Sequence, residues 1–197
     1  MDNFAVIDIK TGFEMLPYTA IQEAAYEHIY EESLKKNGYE LIFDEATHVY
    51  KLDGVPIVSV TKVLQNAGLA DFTGIPFERL EAARKFGTAV HKACEFRDFG
   101  KLDERSLDSN LWPFLDGWGD FVKDYQLTFK EIEKPIASKL YRVAGTPDRI
   151  AISDKRRRLA VLLNNEGTYK VTEYKDRTDW QLFLAALSIT NWKEKNK

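Results

Sequence analysis

Asp8 and Lys10 stand two residues apart in the stretch FAVIDIK, among Ile and Val. In an extended strand the carboxylate and the amine fall on one face, with Ile7 and Ile9 on the other. Such a face suits a solvated surface strand, and it also suits a metal-dependent active site. Other residue pairs carry the same double meaning. His91 and Glu95, in KFGTAVHKACE, lie one helical turn apart on one helix face. Gly87, a turn earlier, leaves room for close approach of a backbone or a ligand. Asp148 follows a Gly-Thr-Pro bend and heads a β-branched stretch, in VAGTPDRIAI. Gln22 and Tyr26 are four apart on a helical segment directly after the Asp8 strand. Alone, the histidine reads as a packing residue, the Gln/Tyr pair as a helix-face contact and Asp-x-Lys as chance. Their occurrence in one chain is far more specific.

The elements that must position these groups follow from periodicity and breakers. Residues 4–10 read as a strand, and Pro17 to about residue 36 as a helix with proline in its first turn. The polar link LKKNG leads to short strands in YELIFDEATHVYKLDGVPIVSV, with a turn at Asp53-Gly54. Ser59 suits the cap of a short helix ending near Gly68. Residues 75–98 and 112–125 read as amphipathic helices, the second with Phe114, Trp118, Phe121 and Tyr125 at helical spacing. Two long strands are expected over 130–139 and 141–152, then RRLAVLLNN, a turn at Glu166-Gly167, TYKVTEYK, and a helix over 178–193. Helices and strands mix without regular alternation. The expected fold class is therefore mixed α/β (α+β), a central mixed sheet flanked by helices. The aromatic stripe reads as core, His28 and His48 as residues without a catalytic role, Cys94 as packed, and DKRRRLA as a charged connector or a phosphate contact.

Composition bounds the rest. The 197 residues suffice for a single domain over 1–197 with a buried core. With 44% hydrophobic and 30% charged residues the chain is ordinary for a globular protein. No apolar run is long enough for a membrane span and no signal-peptide pattern is present, so no membrane partner is expected. One cysteine, Cys94, excludes a disulfide framework or a cysteine-held cluster within the chain, and the expected location is cytoplasmic. The net charge of -3 does not announce nucleic acid, although carboxylates gathered at a metal site would mask basic patches elsewhere.

Taken together, GTAVH ending at His91, GTPD ending at Asp148, DIK from Asp8 to Lys10, and Gln22 with Tyr26 resemble the motif set of the PD-(D/E)XK nuclease superfamily, in its RecB-like, phage-type exonuclease branch. FDEATHVYKLDGVPIVSVTKVL and TDWQLFLAALSITNWK resemble phage-encoded members as well. The resemblance implies a restriction-endonuclease-like core and hydrolysis of DNA phosphodiester bonds dependent on Mg²⁺ or Mn²⁺. It implies Asp8, Asp148, His91 and the Ile9 carbonyl as metal ligands, Lys10 as the residue that positions or activates water, and Gln22 and Tyr26 as substrate contacts. Glu133 and Glu95 are further candidates for the site. The residue types fit: Mg²⁺ takes oxygen ligands, and a histidine tilts a site toward Mn²⁺.

In that superfamily the D-x-K strand follows the GTPD strand. Here a strand–helix segment, about 2–34, stands at the front, and GTPDRIAISDK runs straight into RRRLAVLLNN. The rearranged order is topologically tolerable, because a strand out and a helix back begin and end at one sheet edge. The segment closes on its own chain or on a neighbouring copy. Expected partners are DNA, a single-strand annealing or recombination protein, and a second copy of the chain. The alternative reading is a catalytically inactive nucleic-acid-binding or scaffold protein on the same fold.

Overall fold

The computed structural model describes residues 3–12, 16–35, 38–70 and 74–196. In chain order the elements begin with β1 (Phe4–Lys10), α1 (Thr19–Ser33), β2 (Leu41–Asp44), β3 (Val49–Leu52), β4 (Val55–Ser59) and α2 (Val60–Asn66). Then come α3 (Phe77–Asp98), α4 (Trp112–Asp124), β5 (Phe129–Ile132), β6 (Ile136–Ser138) and β7 (Val143–Gly145). The last are β8 (Arg149–Ile152), β9 (Arg157–Leu163), β10 (Tyr169–Glu173) and α5 (Thr178–Lys195). Lys36 and Asn37 of the expected polar link lie outside the described residues. The elements form two compact units that alternate along the chain. One is drawn from Met1–Leu16, Phe72–Ile132 and Asp148–Glu173, the other from Pro17–Asp71, Glu133–Pro147 and Tyr174–Lys197.

The first unit is a five-stranded sheet in the order β10-β9-β1-β8-β5. β1 is its central strand, parallel to β9 and antiparallel to β8. Ala5, Ile7 and Ile9 turn toward Val90, Ala93 and Cys94 of α3 and Phe114, Leu115, Trp118 and Phe121 of α4, forming one core. Tyr125 packs against it. Val6 on the opposite face of β1 is also buried, and Asp8 is only 4% exposed. A central strand covered on both faces reads as a nearly continuous apolar run, which is what FAVIDI is. The solvated-strand reading of Asp8 and Lys10 is thereby excluded.

The position of β1 answers the question of chain order. Its two neighbours, β8 and β9, are consecutive in sequence, so the first strand of the chain fills a slot between two of the last. The β8–β9 link passes the N-terminal end of β1, where the Asn3 side-chain amide donates to the Asp154 carbonyl at 2.6 Å. β1 docks within its own chain.

The second unit carries a sheet in the order β2-β3-β4-β7-β6, with β4 and β7 parallel. Asp53 and Gly54, both with positive φ, make the tight β3–β4 turn. The Ser59 hydroxyl caps α2 by accepting from the Lys62 amide at 3.1 Å. α5 packs on α1 and α2, and Lys193 donates to the Asn66 carbonyl at 2.6 Å. His28 stacks on Trp180 with ring centroids 4.3 Å apart, and His48 meets the edge of Phe43.

The class is mixed α/β, as expected, but two mixed sheets replace the single central one. The cause lies in two segments expected to be long strands. The first breaks between β5 and β6, where Glu133 takes a left-handed φ of 47° and Pro135 lacks an amide to pair. The second breaks between β7 and β8 at Thr146-Pro147, since proline forbids a ladder donor and restricts the residue before it. Each expected strand therefore contributes its halves to different sheets.

Candidate functional site

β1 and β8 run antiparallel with Ile7 opposite Arg149, which sets Asp8 beside Asp148 at the next register step. Asp148 comes just after the Pro147 bend and just before β8, so its backbone is held by a strand while its side chain lies at the strand's end. Its Oδ2 accepts the Ile9 amide N–H at 2.6 Å. Its Oδ1 lies 3.6 Å from His91 Nδ1. The other ring nitrogen, His91 Nε2, is 3.0 Å from the Ile9 carbonyl oxygen. Lys10, two residues beyond Asp8 on the same side of β1, places Nζ 2.7 Å from Asp8 Oδ2. Asp8, Ile9, Lys10, His91 and Asp148 thus come together in the first unit, from the end of one strand, the start of another and the middle of α3.

The electrostatics of this group follow from setting a buried Asp8 beside a half-buried Asp148. Burial pushes the Asp8 carboxyl up to about 6, Lys10 opposes that, and the neighbouring Asp148 charge adds to it. Burial also pushes on Asp148, but the charges of His91 and Lys10, the Ile9 amide and Arg149 outweigh it and hold its carboxyl below the ordinary range. The pair is therefore split, one carboxylate eager for a proton and the other firmly ionised.

The donor set fits a divalent cation. With Nε2–H donating to the Ile9 carbonyl, Nδ1 faces Asp148 Oδ1 at 3.6 Å. An imidazole ligand whose other nitrogen is fixed by a backbone carbonyl is the usual second layer of a metal-binding histidine. Within this unit His91 and Asp148 offer ligand atoms close enough to share one ion, Asp8 stands next to Asp148 with its Oδ2 on Lys10, and the Ile9 carbonyl has a second lone pair to offer.

A buried brace stands behind Asp148. Arg149, 0% exposed, donates through Nη1 to the Asp148 carbonyl at 2.6 Å and through Nε to Asp98 Oδ2 at 2.7 Å. Asp98 Oδ1 accepts from Trp118 Nε1 at 2.9 Å, and the guanidinium lies over the Trp118 and Phe129 rings. Sequence reasoning missed Asp98, Trp118 and Arg149 as supports. The available signal was spacing: Asp98 lies seven residues, two helical turns, beyond His91. Gly87 has its expected close approach. A Cβ there would sit 3.2 Å from the Thr11 hydroxyl oxygen, just past Lys10.

The remaining candidates have these places. Glu95 pairs with Lys92 at 2.7 Å on α3. Glu133 immediately follows β5 and belongs to the second unit. Gln22 and Tyr26 also lie in the second unit, on α1, where Gln22 Nε2 donates to Tyr26 Oη at 3.2 Å. The Tyr26 ring packs so closely on Gly145 that a Cβ there would run into Cε1. Cys94 is buried, its thiol pushed up to about 12 chiefly by that burial, which removes it as a nucleophile. Arg157 of the basic run pairs with Glu173, and Arg158 is buried, so much of that run is structural. Among the described residues no helix is long and apolar enough to cross a membrane. Compared with models of known families and with curated proteins, the chain matches none.

Proposed function

We propose that the chain is a divalent-metal-dependent DNA nuclease with a PD-(D/E)XK-type core, acting as an exonuclease in phage-type recombination or repair. The observation that carries the reading is the meeting of Asp8, Asp148 and His91 beside Lys10, from three elements far apart in sequence. A buried Asp8 and a half-buried Asp148 side by side favour a cation or a proton between them. A site that holds them beside a lysine suits an anionic substrate. Mg²⁺ or Mn²⁺ agrees with two carboxylates, a carbonyl and an imidazole.

When bound, the ion supplies Lewis-acid polarisation of the phosphate and a more acidic water. The chain's own residues do the remainder. The ionised Asp148, anchored by the Ile9 amide, gives a fixed anchor for cation binding. Asp8, beside Asp148, would add its carboxylate to the same side of the site. His91, fixed by the Ile9 carbonyl, presents Nδ1 in a set orientation. Lys10, three-quarters buried at its side chain, is held at the site by Asp8. From there its ammonium orients the attacking water and stabilises charge growing on the phosphate oxygens. Arg149 and Asp98 keep the Asp148 backbone in place.

The test is a cleavage assay with Mg²⁺ or Mn²⁺ on single- and double-stranded DNA, with and without free ends. Release of nucleotides from linear but not circular substrates, absent in chelator and in Lys10→Ala, is the expected result. No cleavage of any substrate with either metal overturns the reading.

A further inference from the structure

A cleft of about 950 Å³ opens in the first unit where the Asp8–Lys10 strand ends. Thr11 and Gly12, directly after Lys10, form part of its wall, and so does Leu162, the register partner of Lys10 on β9. Its floor is apolar, with Leu80 and Phe86 of α3 and Phe114 of α4. Phe86 and Phe114 meet edge to face, ring centroids 5.0 Å apart. Its rim is polar: Arg79 from the first turn of α3, Lys170 from β10, and Asn164 and Asn165 beyond β9. Among the described lining residues there are two cations and no carboxylate, in a chain whose net charge is -3. Arg79 and Lys170 are both exposed, and neither has an ion-pair partner among the described residues.

We infer that this cleft binds a single unpaired DNA strand, with phosphates on Arg79 and Lys170 and sugar and base faces on the Leu80–Phe86 floor. The assignment rests on the nuclease reading and adds the substrate's strandedness to it. Cations alone would suit any anion, and an apolar floor alone would suit many ligands. Together they match the pattern of single-strand binding, in which a positive groove follows the backbone and apolar or aromatic faces receive unpaired bases. The size agrees: a cavity of this volume encloses a ligand of a few hundred daltons, not the cross-section of a duplex. Continuity agrees as well. Thr11 and Gly12 in the cleft wall directly follow Lys10 in the chain, and a paired base has its edges and one face already committed and cannot lie on the floor.

The test separates binding from cleavage. Fluorescence anisotropy of a labelled short oligothymidylate is measured in EDTA for the wild type, for Arg79→Ala/Lys170→Ala, and for Lys62→Ala as an exposed control in the other unit. The double variant is expected to bind at least about tenfold more weakly, and the slope of log affinity against log salt is expected to shrink by about 1.4, the loss of two single-strand phosphate contacts. The wild type is expected to prefer the single strand over a blunt duplex of equal length. Unchanged affinity and slope in the double variant, equal binding of the duplex, or no wild-type binding of the single strand each overturns the assignment. The nuclease reading is judged apart, by metal-dependent cleavage. A protein that never cleaves but loses strand binding in the double variant keeps the cleft assignment and loses the nuclease. One that cleaves normally with both cations removed loses the cleft alone.

Discussion

The amide N–H of Ile9 donates to the carboxylate of Asp148 at 2.6 Å, joining residues 139 apart in sequence. This bond ties the strand that carries Asp8 and Lys10 to the residue that anchors the candidate metal site. It also divides the chemistry of two charged side chains that sit within one small volume.

Asp148 would face the ion directly, whereas a protonated Lys10 cannot be a ligand. Asp148→Ala is expected to remove most of the heat of Mn²⁺ binding in calorimetry and to abolish cleavage. Lys10→Ala is expected to bind Mn²⁺ and DNA while losing roughly a hundredfold to a thousandfold in cleavage rate. Wild-type cleavage by Lys10→Ala would remove the lysine from the mechanism.

Asp8 predicts a pH dependence of stability in the metal-free protein. Its folded carboxyl is raised from 3.8 to about 6, first by burial and then by Asp148, against the pull of Lys10. The folded state therefore holds the proton more tightly than the unfolded state. The stability this group contributes is full below pH 3.8 and is lost as pH rises through about 6. Melting curves in EDTA should show a falling Tm across that window, and Asp8→Asn should remove the fall. A Tm independent of pH there, or a slope unchanged in the variant, contradicts the assignment.

The Arg149–Asp98 pair predicts an asymmetric response to mutation. Arg149→Leu leaves the Asp98 carboxylate buried without its cation, at a cost of roughly 3–5 kcal/mol in urea denaturation. Replacing both with apolar residues should cost less than the sum of the single changes. Mn²⁺ affinity should fall in Arg149→Leu, because the guanidinium also holds the Asp148 carbonyl.

Tyr26 and Gly145 predict a steric limit on the turn before Asp148. Gly145→Ala places a methyl into the Tyr26 ring and should cost about 1–3 kcal/mol, as overpacking does. Gln22→Ala removes one 3.2 Å hydrogen bond and should change Tm little. A drop in DNA binding by Gln22→Ala at unchanged Tm would give Gln22 a substrate role.

Much of this was legible in the chain because local signals agreed with the fold. FAVIDIK gave its strand to the residue, Ser59 capped its helix, and the Phe114–Trp118–Phe121 spacing marked a buried helix face. The motif residues Asp8, Lys10, His91 and Asp148 lie together because each is fixed by an element with a strong periodic pattern. What was not legible depended on partners distant in sequence. Nothing in 130–152 says that the two halves of each apolar run join different sheets, since both halves look alike to periodicity. Nothing in the residues around Arg149 signals its burial. Only the contact with Asp98 and the Trp118 ring explains how a guanidinium can be fully buried.

The slot occupied by β1 has a consequence for how the protein is made. Its pairing strands, β8 and β9, leave the ribosome well over a hundred residues after it. At about 5–20 residues per second the first strand waits on the order of ten seconds with no sheet to join. During that time an apolar strand with two unpaired edges is an aggregation hazard. Closing the central ladder requires a loop of well over a hundred residues, which makes the insertion of this strand a long-range and slow step of folding.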